Sequence, residues 1–462
     1  MTVRKPDVYT LSNAKSFDPI EIAPESEVRA MQERRLQEQL AYLKARSPFY
    51  QQKFAAAKLS FEKIRTLEDL QQVPFTIKQD LRDSLKAAPP FGLHGAAEHR
   101  DIVQMQASSG TTGSPAYVGL TAADLESWQE CTARCLFANG IRPGDLVLHA
   151  FSISKGFVGG IPVFQSVQYM GAIDVPIGAD GGADRLLIAA RDLHPQGIVG
   201  TPNFLRYLAE VCQEMTGVKA QDIGVRKLCV GGEPGGGIPA IRAALQEGWN
   251  ARCLELMGGT DIGVAYWAEC EHQAGMHMVS PDYVLAELID PATGQVIPWQ
   301  AGTTGELVYT ALGRRASPVL RFRTGDHVEI TGTKCACGRT GPMIRCFGRT
   351  DDMLIVRGVN VFPSAIQDIV AAMPETNGVM RVVADFDGHT TQRNLKVLVE
   401  RGRKRPASQD EALSKAVETK LRNSLAFKAE VHVVPADVFA KPGVQKVQLT
   451  LRNKAEIAQF YA

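Results

Sequence analysis

Between Gln106 and Pro115 the chain reads Ser108-Ser109-Gly110-Thr111-Thr112-Gly113, four hydroxyls set around two glycines. Glycine lets backbone approach a ligand closely, and successive N–H groups with hydroxyl donors can cradle phosphate oxygens. The run lacks the lysine of the common nucleotide P-loop, and taken alone it reads equally well as a Gly/Ser/Thr connector. A second constellation offers soft donors. Cys270 and His277, with Cys335 and Cys337, supply the four ligands a tetrahedral zinc ion takes. The rival reading is that three of nine cysteines merely lie near one another, and His272 ranks behind His277 as a ligand.

These groups need elements to position them. A chain of 462 residues exceeds the roughly 250–300 at which one hydrophobic core stops growing, so two or more domains are expected. With 45% hydrophobic and 22% charged residues it has the composition of an ordinary globular protein, and a formal net charge of +1 gives no reason to propose nucleic acid or a membrane as partner. No apolar run reaches the ~18 residues of a membrane span, and the first residues lack the apolar core of a secretory signal, so a cytoplasmic location is expected.

From Thr121 onward apolar runs alternate with helical stretches, which predicts an α/β body with a largely parallel sheet. Between Val279 and Ile330 the texture becomes short alternating runs broken by Pro and Gly, which predicts an antiparallel β region. After the polar turn Gly348-Arg349-Thr350-Asp351-Asp352 a small αβ pattern restarts. The boundary is therefore drawn at 348, giving a large domain over 1–348 and a small α+β domain over 349–462.

Five motifs occur in order: SSGTTGSP, GGEP at 231–234 after Val230, MGGTD at 257–261, RFRTGD at 321–326 and GRTDDMLIVRGVNVFPS at 348–364. Together with PFTIKQDLR at 74–82 and CACGRTGP at 335–342, they resemble the phenylacetate–coenzyme A ligase branch of the adenylate-forming superfamily. The resemblance implies an ATP-dependent acid–thiol ligase. A carboxylate attacks the α-phosphate of ATP, pyrophosphate leaves, and the thiolate of coenzyme A then displaces AMP. Both halves need donors and cations, Mg²⁺ among them, around non-bridging oxygens.

By that resemblance Ser108 through Gly113 hold phosphates, Gly232, Glu233 and Pro234 line the adenine with Thr260 nearby, and Asp326 takes the ribose hydroxyls, although an Asp in Thr-Gly-Asp also suits a turn. Asp261 stands where the family carries a longer acid that helps hold Mg²⁺, and Met257, beside Gly258, replaces an aromatic residue. Arg349 and Asp351 fall at the hinge on which the small domain rotates. Lys446 matches the lysine that bridges carboxylate and α-phosphate, with Gln445 and Leu449 departing from the pattern around it. Related ligases carry the Cys270, His277, Cys335 and Cys337 set, and some hold structural zinc with it. The family also makes a homodimer the expected assembly.

In the segment Ser154–Gly160, Ser154 occupies an aromatic position of the acid pocket and Phe157 follows, while Gly235 stands where a Trp closes it. An aromatic side chain buries ~150–250 Å², so two such losses imply an aryl or arylacetic acid larger than phenylacetate, with indole-3-acetate a candidate. Two rivals remain at this level: an adenylating enzyme that loads a carrier protein or forms an amide, and a nucleotide-binding regulatory protein that has lost catalysis.

Overall fold

The computed structural model describes residues 11, 14–107, 117–154, 156–349, 352–439 and 448–460. Ile102–Ala107 (β1) pairs antiparallel with Tyr117–Thr121 (β2), so Ala107 and Tyr117 face each other at the two ends of the 108–116 segment. Thr121 and Asp124 then exchange a capping box that starts the helix Ala122–Ala138.

Short strands follow: Leu146–His149 (β3), Ile173–Val175 (β4), Gly197–Gly200 (β5), Lys227–Val230 (β6) and Arg252–Gly259 (β7), largely buried except for β4 at the end of the row. They lie side by side in parallel in the order β4-β3-β5-β6-β7. Helices including Pro202–Thr216 and Pro239–Trp249 make the crossovers, burying Leu205, Leu208, Ile241 and Leu245 against the sheet.

Strand β7 serves two partners. Arg252–Glu255 run parallel with β6, while Leu256–Gly259 pair antiparallel with Gly263–Glu269 (β8). Met276–Met278 (β9), Val284–Ile289 (β10), Thr304–Ala311 (β11), Phe322–Gly332 (β12) and Met343–Arg349 (β13) continue the same sheet in the order β8-β9-β13-β12-β11-β10. The antiparallel half thus begins at Gly259–Gly263, ahead of the Val279 expected from sequence. Every residue of β8 is buried, so its sequence shows none of the alternation that marks a half-exposed antiparallel strand.

From Leu354 the chain builds Leu354–Val356 (β14), Val359–Val361 (β15), Thr376–Val383 (β16), Thr390–Thr391 (β17), Leu395–Arg401 (β18), Ala429–Val434 (β19) and Thr450–Leu451 (β20), with helices Pro363–Ala371 and Asp410–Leu425. They form two small sheets around a core of their own that includes Leu354, Ile366, Val382, Val397, Leu413 and Leu421. This part touches the larger body through Arg403, whose guanidinium lies 3.1 Å from Glu210, and through Ala371, which packs on the cluster under β5 and β6. Among the described residues no helix is long and apolar enough to cross a membrane.

Candidate active site

The carboxyl ends of β6 and β7 carry two of the motifs, at the place where parallel α/β sheets bind ligands. After β6 the turn holds Gly232, Glu233 and Pro234. Glu233 is buried and its Oε1 accepts from the backbone N–H and the Nδ2 of Asn203, 3.2 and 3.0 Å away, in the first turn of the helix Pro202–Thr216. A carboxylate there satisfies a donor the helix cannot, and it meets the positive end of the helix. The turn is thereby fixed to a rigid element.

After β7 the chain turns sharply through Gly259-Thr260-Asp261-Ile262. A Cβ at Gly258 would lie 2.0 Å from the carbonyl of Val264, so only glycine allows the two strands this close. Met257, paired across the strands with Trp267, packs into the core of the antiparallel half. The Ile262 carbonyl accepts from Trp128 Nε1 at 3.1 Å and from Arg314 Nη1, which clamps the tip carrying Asp261. Both Asp261 oxygens lie 2.7 Å from Lys78 Nζ, the first residue of the helix Lys78–Ala87. Sequence reasoning used the 74–82 motif only as a family marker and missed this pair.

Asp326, in β12, faces Arg349, in β13, across the ladder, with Arg349 Nη1 at 3.3 Å from Oδ1. The arginines before it are structural: Arg321 pairs with Glu287 at 3.0 Å and Arg323 pairs with Glu306, locking the strand that carries Asp326. Burial first, then the charges of Asp326 and Asp261, push the phenol of Tyr266 upward. Behind the 235–237 turn sits Glu255, with its Oε2 2.6 Å from where a Cβ of Gly237 would stand. Burial, then the nearby Glu269, pushes it up to about 7.

The Ser154–Gly160 segment, read from sequence as part of the acid pocket, meets the end of β1, where the Ala107 N–H donates to the Gly156 carbonyl at 2.9 Å. Phe157 packs edge-on to Phe151, and its Cζ is 3.6 Å from where a Cβ of Gly232 would stand. Ser154 is exposed, and its N–H donates to Asp180, which also accepts from Ser152 Oγ and the N–H of Ile153. Burial alone would raise the Asp180 carboxyl, but these hydrogen bonds, led by that from Ser154, hold it below the usual range. At Gly235 a Cβ would lie 2.5 Å from Pro202 Cγ. Space read from sequence as opened by that glycine is taken by Pro202.

Away from this edge, Cys270 after β8, His277 in β9, and Cys335 and Cys337 between β12 and β13 bring four donor atoms within 4.8 Å of one another. Cys270 Sγ is 3.6 Å from Cys335 Sγ, and Cys337 Sγ is 3.6 Å from His277 Nε2. The hydrogen bond from Cys270, then that from His277, holds the Cys337 thiol well below its ordinary range. The following loop is tied to the start of the chain, with Arg339 Nε 2.8 Å from the buried Glu21. Ser108 through Gly113, Asp351 and Lys446 lie outside the described residues.

Fold and site together are those of the adenylate-forming coenzyme A ligases. 2-Hydroxyisobutyryl-CoA ligase in the postadenylation state, in complex with R3-HIB-AMP, superposes with a TM-score of 0.89 at 27% identity, over 97% of this chain and 95% of that one. The same ligase with 2-HIB-AMP and CoA in the thioesterification state gives 0.71 at 28% identity, over 97% and 96%. Residues 358–448 match the AMP-binding enzyme C-terminal domain family. The phenylacetate-coenzyme A ligase of Thermus thermophilus is 37% identical over 386 residues, 82% of this chain and 83% of that protein. This chain belongs to the phenylacetate–coenzyme A ligase family.

Proposed function

We propose that the protein is an ATP-dependent aryl- or arylacetate–coenzyme A ligase that works through an acyl-adenylate, releasing pyrophosphate and then AMP. The observation that carries this is a named phenylacetate ligase that matches the chain over most of its length, with the GGEP turn after β6, the Gly258–Asp261 tip after β7 and the Asp326–Arg349 pair on β12 and β13 of one sheet.

In this reading Gly232 and Pro234 offer backbone and ring to the adenine, Glu233 keeps that turn on its helix, and Asp326 accepts from the ribose hydroxyls. Ser108 through Gly113 hold the β- and γ-phosphates. Asp261 would hold Mg²⁺, and the fit is supported by its carboxylate already meeting a cation, Lys78. Bound Mg²⁺ supplies charge stabilisation on the phosphate oxygens. Lys446 bridges the incoming carboxylate and the α-phosphate, positioning both while negative charge builds. Arg349 and Asp351 are assigned to the hinge, with 1–348 as the large domain and 349–462 as the mobile one.

The acid is arylacetic or larger. Ser154 supports extra room, Gly235 does not, and indole-3-acetate is the bicyclic test case. The metal cluster suits a structural Zn²⁺, because its 3.6 Å Sγ–Sγ and 3.6 Å Sγ–Nε2 separations lie near the about 3.8 and about 3.6 Å between such donors on a tetrahedral zinc, and a full donor set leaves no open position. The enzyme acts in the cytoplasm, as a homodimer measurable by light scattering.

Pyrophosphate release, measured with and without coenzyme A across phenylacetate, indole-3-acetate, benzoate, 2-hydroxyisobutyrate and a fatty acid, tests acid and acceptor together. The reading expects an aromatic acid to be preferred and thioester to form. Preference for the small hydroxy acid, or turnover only with a carrier protein, overturns it.

A further inference from the structure

The 74–82 motif, which the function above leaves without a task, ends at the same site. Lys78 opens its helix, where the macrodipole presents its positive end and disfavours a cation. The acid nearest in its own helix, Asp80, already accepts from the N–H of Ile77 and from Lys53. What holds Lys78 is Asp261, 183 positions along the chain, with both oxygens at 2.7 Å. An ammonium has three donors, and two are aimed at Asp261. The Lys78 side chain is 29% exposed, so it keeps access to solvent.

One residue beyond Asp261, the Ile262 carbonyl is held by Arg314, whose Nε and Nη2 have no hydrogen-bond partner among the described residues although Arg314 is only 6% exposed. Asp124 and Asp261 both attract it. Asp124 spends its oxygens on the N–H groups of Thr121, Arg315 and Ala316, so it leaves those guanidinium donors unanswered. Arg314 thus keeps two guanidinium donors unanswered beside the tip that carries Asp261.

We infer that Lys78 is a phosphate-binding residue that exchanges partners. It neutralises Asp261 before the nucleotide binds, and turns to the β- and γ-phosphate oxygens, and then to pyrophosphate, once a divalent ion takes the carboxylate. The inference rests on the ATP-dependent reading above. One short carboxylate cannot serve an ammonium and a hard dication equally. Mg²⁺ is usually held by one or two carboxylates plus substrate phosphates, so those phosphates are the nearest anions for the displaced ammonium.

The test uses the full-length protein, with Lys78→Met, Lys78→Gln and Lys78→Arg. Two titrations are run: inorganic pyrophosphate with Mg²⁺, followed by calorimetry, and Mn²⁺ alone, followed by electron paramagnetic resonance. Loss of a charge-assisted contact weakens pyrophosphate binding about tenfold or more in Lys78→Met and Lys78→Gln. Release of Asp261 tightens Mn²⁺ in the same variants, and Lys78→Arg keeps most of the pyrophosphate affinity. Damage to the structure would weaken both ligands together, and the Gln variant carries the test where the Met variant does not fold. Unchanged pyrophosphate affinity, or Mn²⁺ affinity that stays level or falls, overturns the role of Lys78. Wild-type protein that binds neither ATP nor pyrophosphate overturns the nucleotide reading along with it.

Discussion

Asp326 and Arg349 face each other across the β12–β13 ladder with Nη1 3.3 Å from Oδ1, so the proposed ribose carboxylate is bonded to the last residue of the large sheet before the C-terminal part. Nucleotide binding and the proposed hinge therefore share one contact. Asp326→Asn removes the charge and one acceptor while keeping the size. It is expected to raise the KM for ATP about tenfold or more, as loss of a hydrogen bond to a charged group does, and to leave the KM for the acid nearly unchanged. Steady-state kinetics with each substrate varied in turn checks the split.

Gly258→Ala would drive a Cβ to 2.0 Å from the Val264 carbonyl. Backbone cannot yield as a side-chain end does, so a loss of about 1–3 kcal/mol is expected from overpacking. Because the β7–β8 tip carries Asp261, ATP binding falls with it. A lower melting temperature with unchanged nucleotide affinity would show the tip does not depend on that contact.

Glu255 gives a pH signature. Burial, then Glu269, raises its carboxyl to about 7 against 4.5 ordinarily, with Arg242 and Arg345 opposing. A raised acid means the folded chain holds a proton the unfolded chain has released. Its favourable share of stability is thus complete below about 4.5 and is lost as pH climbs through 7. Glu255→Gln is expected to flatten the fall in stability across that window, by up to about 3 kcal/mol, and to be more stable than wild type at pH 8. Denaturant melts at pH 5, 6, 7 and 8 measure it.

For the cysteine cluster, elemental analysis of dialysed protein is expected to find one zinc per chain. Cys270→Ser or a strong chelator should lower the melting temperature by about 5 °C or more, since a zinc held by the proposed donor set would pin the 335–342 loop to β8 and β9. Activity should fall no faster than the folded fraction. Metal-free protein with the same melting temperature contradicts the zinc assignment.

Much of this was legible in the sequence. The alternation after Thr121 predicts the parallel half, and Cys-His-Cys-Cys predicts a cluster that the structure brings within 4.8 Å. What stayed hidden has physical causes. Strand β8 is buried at all positions, so its pattern conceals the pairing sense. Lys78 and Asp261 meet across 183 positions, and no local spacing encodes such a contact. Gly235 reads as lost bulk, but Pro202 fills that direction, which only packing reveals. Ser108 through Gly113 and Lys446 are assigned only through the order of the motifs around them and lie outside the described residues.

The most direct measurement follows AMP and pyrophosphate formation with an aromatic acid, with coenzyme A present or withheld, in wild type and Lys446→Ala. The expected result is acid-dependent pyrophosphate release, coenzyme A-dependent AMP and thioester in equal amounts, and a loss of at least about a hundredfold in the adenylation step for the variant, as loss of a group that stabilises developing charge gives. Pyrophosphate release that ignores the acid, or a variant as fast as wild type, would contradict an adenylating ligase.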